Sequence, residues 1–288
     1  MFEDILVPTD GSESARRAEG YAIDMAGEYR STVHVLHVVD PAGLGTASGI
    51  EPRGEEARGI VDAAVERIAD GGVRAIPVVR TGVVPATVLE YVDEAAIGLI
   101  LMGTHGRSGL ERSLLGSVTK RIVRASHVPV VTVGDDEGTP ARYPYRRLLV
   151  ATDGSEAAAG AAEVGIDVAR TYGAGVHVLS VVHSRGSRDA AERIAAAHAA
   201  VADVERMAAA AGVEDVSTAV EYGLPHAAVL AYAGRNGIDL VVMGAYGRTG
   251  VRRYVLGSVA ERVVRTSPIP VLTVRPRDST SRHKRNNK

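Results

Sequence analysis

The stretch Gly103-Thr-His-Gly106-Arg107-Ser-Gly109-Leu-Glu-Arg-Ser-Leu-Leu-Gly116-Ser117-Val118 decides how the fold of this chain is interpreted. It lies between an apolar run, 97–102, and a helical pattern, 117–126. Glycines at 103 and 106 lack a Cβ, which would let backbone N–H groups approach a ligand. A helix that begins at Ser117, with this serine as its N-cap, would present free N–H groups and a positive dipole end. A strand, a glycine loop and a helix N-terminus in this order favour a phosphate site.

The same pattern returns 141 residues later, as Gly244-Ala-Tyr-Gly247-Arg248-Thr-Gly250-Val-Arg-Arg-Tyr-Val-Leu-Gly257-Ser258-Val259. Aligned without gaps, residues 103–133 and 244–274 share 17 of 31 identities, so the chain contains an internal duplication. A packing motif could explain one glycine loop. Two copies with identical glycine spacing favour a ligand.

Composition restricts the class of protein. The length of 288 residues predicts about two domains, and the 45% apolar and 24% charged residues are ordinary for a globular protein. A net charge of −2 argues against a binder of nucleic acid or of a membrane surface. The absence of cysteine excludes disulfides, thiolate chemistry and cysteine zinc sites. With no long apolar run and no signal-peptide pattern, we expect a cytoplasmic protein.

Apolar strands alternate with helical patterns in both halves, which predicts parallel sheets covered on both faces. The predicted strands are 2–8, 33–39, 73–79, 97–102, 129–133, 147–151, 176–182, 216–221, 238–243 and 270–274. Predicted helices include 12–27, 55–69, 85–96, 117–126 and 188–211, whereas residues 40–54 are interpreted as a mobile glycine-rich loop. Each half is therefore predicted to be a doubly wound five-stranded α/β domain, over residues 1–137 and 145–277. A basic disordered tail, 278–288, would follow.

A short turn follows the first strand of each half, Thr9-Asp10-Gly11-Ser12 and Thr152-Asp153-Gly154-Ser155. Ligands of doubly wound sheets bind beyond the carboxyl ends of the strands, where the strand order reverses. If strands one and four flank that point, Asp10 faces the Gly103 loop. Its carboxylate would accept hydrogen bonds from ribose hydroxyls, bridge a metal, or only stabilise the turn.

These residues closely resemble the universal stress protein family in its tandem form. The family pattern Gly-x2-Gly-x9-Gly-(Ser/Thr) occurs twice, and each copy follows a matching Thr-Asp-Gly-Ser turn. The likeness covers both halves and leaves out the linker and the tail. It implies an adenine nucleotide alpha hydrolase-like fold with strand order 3-2-1-4-5 in each half. It also implies that the two fifth strands pair, so that the halves form a pseudo-dimer.

The resemblance further implies an ATP site in each half, with ADP or AMP as alternative occupants and Mg²⁺ as a companion held through the phosphates. By analogy the first site would use Pro8, Thr9, Val38 and Met102 for adenine, Asp10 and Gly103 for ribose, and Gly106, Arg107, Gly116, Ser117 and Val118 for phosphates. The second site would use Thr152, Asp153, Val181, Met243, Gly244, Gly247, Arg248, Gly257, Ser258 and Val259. The halves differ where Pro8 becomes Ala151 and His105 becomes Tyr246.

No residue is assigned a catalytic role, because the chain lacks a P-loop lysine, a nucleophile elbow and an evident general base. His34 and His37 are separated by an odd interval on a strand, so they would face opposite ways and not share a metal. The leading hypothesis is a nucleotide-binding stress-response module that holds ATP without efficient catalysis. The alternatives are a slow ATPase or nucleotide transferase, and a nucleotide-free interaction protein. A further homodimer is an option, whereas membrane and nucleic-acid partners are not expected.

Overall fold

The computed structural model describes residues 1–41, 50–106, 115–134, 143–183, 190–247 and 256–275, and of residues 50–53 it describes the backbone. Two predicted phosphate ligands, Arg107 and Arg248, lie outside the described residues, and so does the predicted tail, 278–288.

Strands and helices alternate through the described parts of both halves. The first half contains β1 Asp4–Pro8, α1 Glu13–Tyr29, β2 Thr32–Val39, α2 Ile50–Asp70, β3 Ala75–Thr81, α3 Val84–Glu94, β4 Leu99–Gly103, α4 Ser117–Ala125 and β5 Val130–Val133. The second half contains β6 Arg147–Ala151, α5 Glu156–Tyr172, β7 Gly175–Val182, α6 Ala190–Ala210, β8 Val216–Tyr222, α7 Pro225–Asn236, β9 Leu240–Gly244, α8 Ser258–Thr266 and β10 Val271–Val274.

All described strands belong to one ten-stranded sheet with the order β3-β2-β1-β4-β5-β10-β9-β6-β7-β8. Within each half the order is 3-2-1-4-5 and the pairing is parallel, which confirms the predicted doubly wound topology. The two halves meet where β5 pairs antiparallel with β10. Each fifth strand would otherwise be an edge with unpaired backbone groups, so this pairing satisfies both.

The sheet has an apolar core on each face. On one face, alternate strand residues such as Val7 and Leu101 pack with residues of α1, α2, α5 and α6. On the other face, the intervening residues such as Leu6 and Met102 pack with α3, α4, α7 and α8. The central strands are therefore buried on both sides, which explains their nearly continuous apolar sequence.

The start of α2 corrects the sequence analysis. Residues 50–54 were assigned to a mobile loop, but the helix already includes them because it begins at Ile50. Pro52 occupies the first turn of this helix, where a missing backbone N–H costs no internal hydrogen bond. The glycine-rich character of the segment was therefore a poor guide to where the helix starts.

Candidate functional site

The candidate site lies beyond the carboxyl ends of β1 and β4, where the strand order reverses within the first half. A Cβ added at Gly106 would lie 2.6 Å from Oδ2 of Asp10, so the turn after β1 faces the loop after β4. The second half repeats the arrangement, with Asp153 against Gly247. The expectation that these turns face the glycine loops is confirmed in both halves.

The two carboxylate oxygens of Asp10 have different surroundings. Oδ1 accepts a hydrogen bond from the backbone N–H of Ser12 at 3.0 Å, which shapes the turn, whereas Oδ2 is the oxygen that faces Gly106. Asp153 repeats this geometry, because its Oδ1 accepts from Ser155 N at 3.0 Å. Each aspartate therefore does two things: its Oδ1 stabilises the turn, and its Oδ2 faces the glycine loop.

The helices of the site begin in two different ways. Ser12 caps α1, since its hydroxyl accepts a hydrogen bond from Ala15 N at 3.3 Å, and Ser155 caps α5 in the same way. By contrast, α4 and α8 begin after Gly116 and Gly257, and no side chain of the described residues caps either helix. A helix without a side-chain cap keeps the electropositive character of its first-turn N–H groups.

The prediction that Ser117 and Ser258 are N-caps is therefore wrong. Both are the first helical residue, and both are exposed. The residue before a helix must have extended backbone, and here Gly116 has it, with φ −53° and ψ 139°. The backbone N–H of Gly116 is also engaged, because it donates to Thr104 O at 2.9 Å.

The first glycine of each loop serves packing against a helix. A Cβ at Gly103 would lie 2.8 Å from the backbone carbonyl carbon of Ser14 in α1, and a Cβ at Gly244 would lie 2.9 Å from that of Ala157 in α5. Ligand access was the favoured explanation of Gly103, with a packing role as the alternative. The close approach of β4 to α1 is the stronger steric reason for glycine at this position.

The apolar residues predicted for the adenine sites share one face of the sheet with Val118, which was predicted to contact phosphate, and with its equivalent Val259. Met102 is buried in the α3/α4 core, and Val38 and Val118 pack against the same cluster. The equivalent set of the second half, Met243, Val181 and Val259, belongs to that cluster too. Pro8 is half-buried and Thr9 is buried at the end of β1. The apolar residues of this set therefore lie on the sheet face that α3, α4, α7 and α8 cover.

Two polar contacts that were not expected from the sequence support the first loop and have no equivalent in the second half. The Ser14 hydroxyl donates to the carbonyl of His105, and Thr119 Oγ1 donates to the carbonyl of Gly103 at 2.9 Å. The residues at the equivalent positions of the second half are Ala157 and Ala260, which cannot make these bonds. A comparison of the two halves would have marked both positions as differing, without revealing the contacts.

The two histidines of β2 have separate partners. His34 contacts Tyr91 OH at 2.7 Å through Nδ1 and Asp4 Oδ1 at 3.0 Å through Nε2. His37 Nδ1 donates to the carbonyl of Thr9 at 2.8 Å. Over the described residues, no group of three or more histidine, aspartate or glutamate side chains has the geometry for a metal ion. Nor is any helix of this described part both long and apolar enough to cross a membrane.

Comparison with known proteins gives a consistent result. The model of the universal stress protein family matches twice, over residues 1–134 and 144–275. A universal stress protein of Mycolicibacterium smegmatis is 29% identical over 302 residues, covering 95% of this chain and 97% of its own length. Universal stress protein YxiE of Bacillus subtilis is 33% identical over 147 residues, covering 46% of this chain and 99% of its own length.

A solved structure agrees at the level of the whole chain. The crystal structure of a universal stress protein from Archaeoglobus fulgidus has a TM-score of 0.76 and 27% identity, over 96% of this chain and 100% of its own. The chain therefore belongs to the universal stress protein family, with the family domain present twice.

Proposed function

We propose that this chain binds one adenine nucleotide in each half, with ATP as the main ligand, and acts as a nucleotide-dependent stress-response module. The phosphates would lie at the N-termini of α4 and α8, on the backbone N–H groups of Ser117, Val118, Ser258 and Val259. The ribose would lie beside Asp10 and Asp153. The adenine would contact the apolar face that includes Val38 and Met102, or Val181 and Met243.

One observation carries this proposal. Among the described residues no side chain caps α4 or α8, which begin at the two glycine loops, whereas α1 and α5 are capped by serine. An anion can bind at such an end because the first-turn N–H groups and the helix dipole both favour negative charge. A carboxylate oxygen of Asp10 or Asp153 faces each loop, and it could accept hydrogen bonds from ribose hydroxyls.

The residues of the candidate site are better suited to holding a nucleotide than to hydrolysing it. No lysine takes the place of a P-loop lysine, and Mg²⁺ would arrive bound to the phosphates. The chain's own contribution would be to orient the base, exclude water from the apolar face and neutralise phosphate charge through helix N–H groups. Slow ATP hydrolysis at the same site is the alternative, and phosphate release would detect it.

We also propose that residues 1–137 and 145–277 are the two domain units, and that they take the place of the two subunits of a dimer. The antiparallel pairing of β5 with β10 supports this arrangement. Light scattering on the purified chain would then give one chain per particle if the internal pairing replaces a homodimer, and two if a further dimer forms.

The test of nucleotide binding has two parts. Mass spectrometry of the denatured protein would detect co-purified nucleotide, and titration calorimetry of nucleotide-free protein would compare ATP, ADP, AMP and GTP. We expect co-purified adenine nucleotide and the tightest binding for ATP. Recovery of none, with no heat and no thermal shift on adding ATP, would favour an interaction protein without nucleotide. Steady phosphate release that requires an intact loop would favour the enzyme.

A further inference from the structure

The contact between Lys120 and Glu261 joins two equivalent positions of the duplicated chain. Each is the fourth residue of a nine-residue helix, α4 or α8, and they are separated by the same 141 residues as the glycine loops. Lys120 Nζ lies 2.5 Å from Glu261 Oε1, and both side chains are partly exposed. Two equivalent residues meet in this way only if they lie at the axis that relates the halves.

The strand pairing places the same axis between β5 and β10. Val131 and Leu272 are register partners, and they are also equivalent positions 141 residues apart. The contacts around this pair are reciprocal: Thr132 Oγ1 donates to Val271 O, and Thr273 Oγ1 donates to Val130 O, both at 3.2 Å. These contacts would form equally well between two copies of either half, because both halves have the same valine and threonine at these positions.

The Lys120–Glu261 contact favours pairing of a first half with a second half. Only that pairing brings opposite charges together at this position. Two first halves paired by the same geometry would place Lys120 against a second Lys120. Two second halves would place Glu261 against a second Glu261. Like charges at contact distance repel, whereas opposite charges attract, so both alternative pairings lose the attraction and gain repulsion.

On the other face of the sheet, side-chain volume also favours pairing of unlike halves over pairing of like halves. Val131 and Leu272 are fully buried in the core beneath α1 and α5. Pairing of like halves would place valine against valine, which leaves a void, or leucine against leucine, which overfills the site. The observed valine–leucine pair has the intermediate volume.

We propose that the surface formed by α4 and β5 selects the surface formed by α8 and β10, and rejects a second copy of itself. The partner that this surface fits is therefore the unlike half, and the Lys120–Glu261 pair supplies much of the selection. This inference rests on the proposed pairing of the two domain units. It is independent of nucleotide binding, so a failure of either can be recognised separately.

The experiment uses the full folded chain with a protease site inserted within residues 135–142. After cleavage, the mixture is unfolded in urea and refolded at low salt, and native mass spectrometry counts the unlike pair and both like pairs. We expect the unlike pair to predominate in the wild type. The measured quantity is the squared concentration of the unlike pair divided by the product of the concentrations of the two like pairs. Lys120→Glu should lower this ratio by about tenfold or more, because every pairing then places glutamate against glutamate.

Two further variants control this result. The double variant K120E/E261K restores opposite charges and should restore the preference for the unlike pair. Arg80→Glu makes the same change of charge in the exposed pair with Glu94, which lies within the first half, and should leave the ratio unchanged. High salt should reduce the wild-type preference, since it screens exposed charges.

A second measurement covers variants that refold poorly after cleavage. In the uncut chain, the effects of Lys120→Glu and Glu261→Lys on the urea midpoint should largely cancel in the double variant. A statistical mixture of pairs in the wild type would overturn the proposal. So would a preference that Lys120→Glu leaves intact, or two single effects that simply add in the uncut chain.

Discussion

Tyr172 of α5 donates its hydroxyl to Oδ2 of Asp24 in α1 at 2.6 Å. The equivalent pair runs in the other direction, because Tyr29 of α1 donates to Oδ2 of Asp167 in α5 at 3.1 Å. Reciprocal contacts between equivalent residues are typical of an interface between two like subunits. The α1/α5 contact thus follows the same axis as the β5/β10 pairing, on the opposite side of the sheet from Lys120.

The pH dependence of this contact follows from Asp24. Burial raises the pKa of the Asp24 carboxyl above its ordinary value of 3.8, although the Tyr172 hydrogen bond opposes the shift. Because the folded-state pKa is the higher one, the stability that Asp24 contributes is fully present below the unfolded pKa. That contribution is lost as the pH rises through the folded pKa.

We therefore expect Asp24→Asn, which keeps an acceptor for Tyr172 but has no charge, to be the more stable protein at pH 7. The gain should stay below about 1 kcal/mol because the site is partly solvated, and it should shrink toward pH 4. Urea unfolding at both pH values measures it. Tyr172→Phe, in contrast, should cost about 1–3 kcal/mol at pH 7, since it removes a donor from a half-buried carboxylate. An Asn variant that is less stable at pH 7 than at pH 4, relative to wild type, would refute this account of Asp24.

Each half has an exposed Arg–Glu ion pair beside an equivalent tyrosine, Tyr91 or Tyr232. The positions of the arginine and the glutamate are exchanged between the halves. Arg80 pairs with Glu94 at 3.3 Å and lies over the Tyr91 ring, whereas Arg235 pairs with Glu221 and lies over the Tyr232 ring. Arg80 is equivalent to Glu221, and Glu94 to Arg235.

The arrangement in the second half indicates that the first half should tolerate an exchange of Arg80 and Glu94. Arg80→Glu alone should destabilise the chain by about 0.5–1 kcal/mol, because it places a second exposed carboxylate beside that of Glu94. R80E/E94R should recover most of this loss by rebuilding the arrangement of the second half. Thermal unfolding at low and high salt measures both. If the double variant is as unstable as the single one, the two pairs are not interchangeable.

His177 should make the stability of the second half sensitive to acid. Burial lowers the pKa of its imidazole, and Arg147 lowers it further, although Asp215 acts in the other direction. Because the folded-state pKa is below the unfolded one, His177 contributes stability above pH 6.5 that is lost as the pH falls. We expect His177→Gln, which retains an acceptor for Tyr232, to flatten the fall in unfolding midpoint between pH 7 and pH 5. An unchanged profile would assign that sensitivity to other groups.

The two glycines of the first loop should respond differently to alanine. Gly103→Ala places a Cβ against the backbone of α1, so it should destabilise the fold by about 2–4 kcal/mol. Gly106→Ala places a Cβ against the Asp10 carboxylate, which can rotate away, so the fold should survive while nucleotide affinity falls about tenfold. Urea unfolding and ATP titration of both variants separate the two effects. Equal loss of stability in both would mean that the loop serves only packing.

The sequence allowed the topology to be predicted because the evidence for it is local and repeated. Alternating strands and helices, glycine loops and Thr-Asp-Gly-Ser turns are each visible within a short window, and the duplication confirms the interpretation. The strand order followed from the family resemblance. The facing of Asp10 and Gly106 followed from that order.

What could not be predicted depends on contacts between distant segments or on a single backbone angle. Ser117 has the composition of an N-cap, but the extended conformation falls one residue earlier, on Gly116. The reason for glycine at 103 is the position of Ser14 in α1, which is 89 residues earlier in the sequence. The Lys120–Glu261 contact requires the register of β5 on β10, and no periodicity encodes that register.

The central claim is that two uncapped helix ends bind nucleotide phosphates, and it can be tested by charging each end separately. Ser117→Glu and Ser258→Glu place a carboxylate at exposed first-turn positions. There the carboxylate interacts favourably with the helix dipole, so the helix stays stable, but it repels a bound phosphate. Ser117→Gln and Ser258→Gln are the neutral controls. Titration calorimetry should give two ATP sites in the wild type and in the controls, one in each Glu variant and none in the double Glu variant, with folding unimpaired throughout. Two ATP sites of unchanged affinity in the double Glu variant, or none in the wild type, would contradict the account.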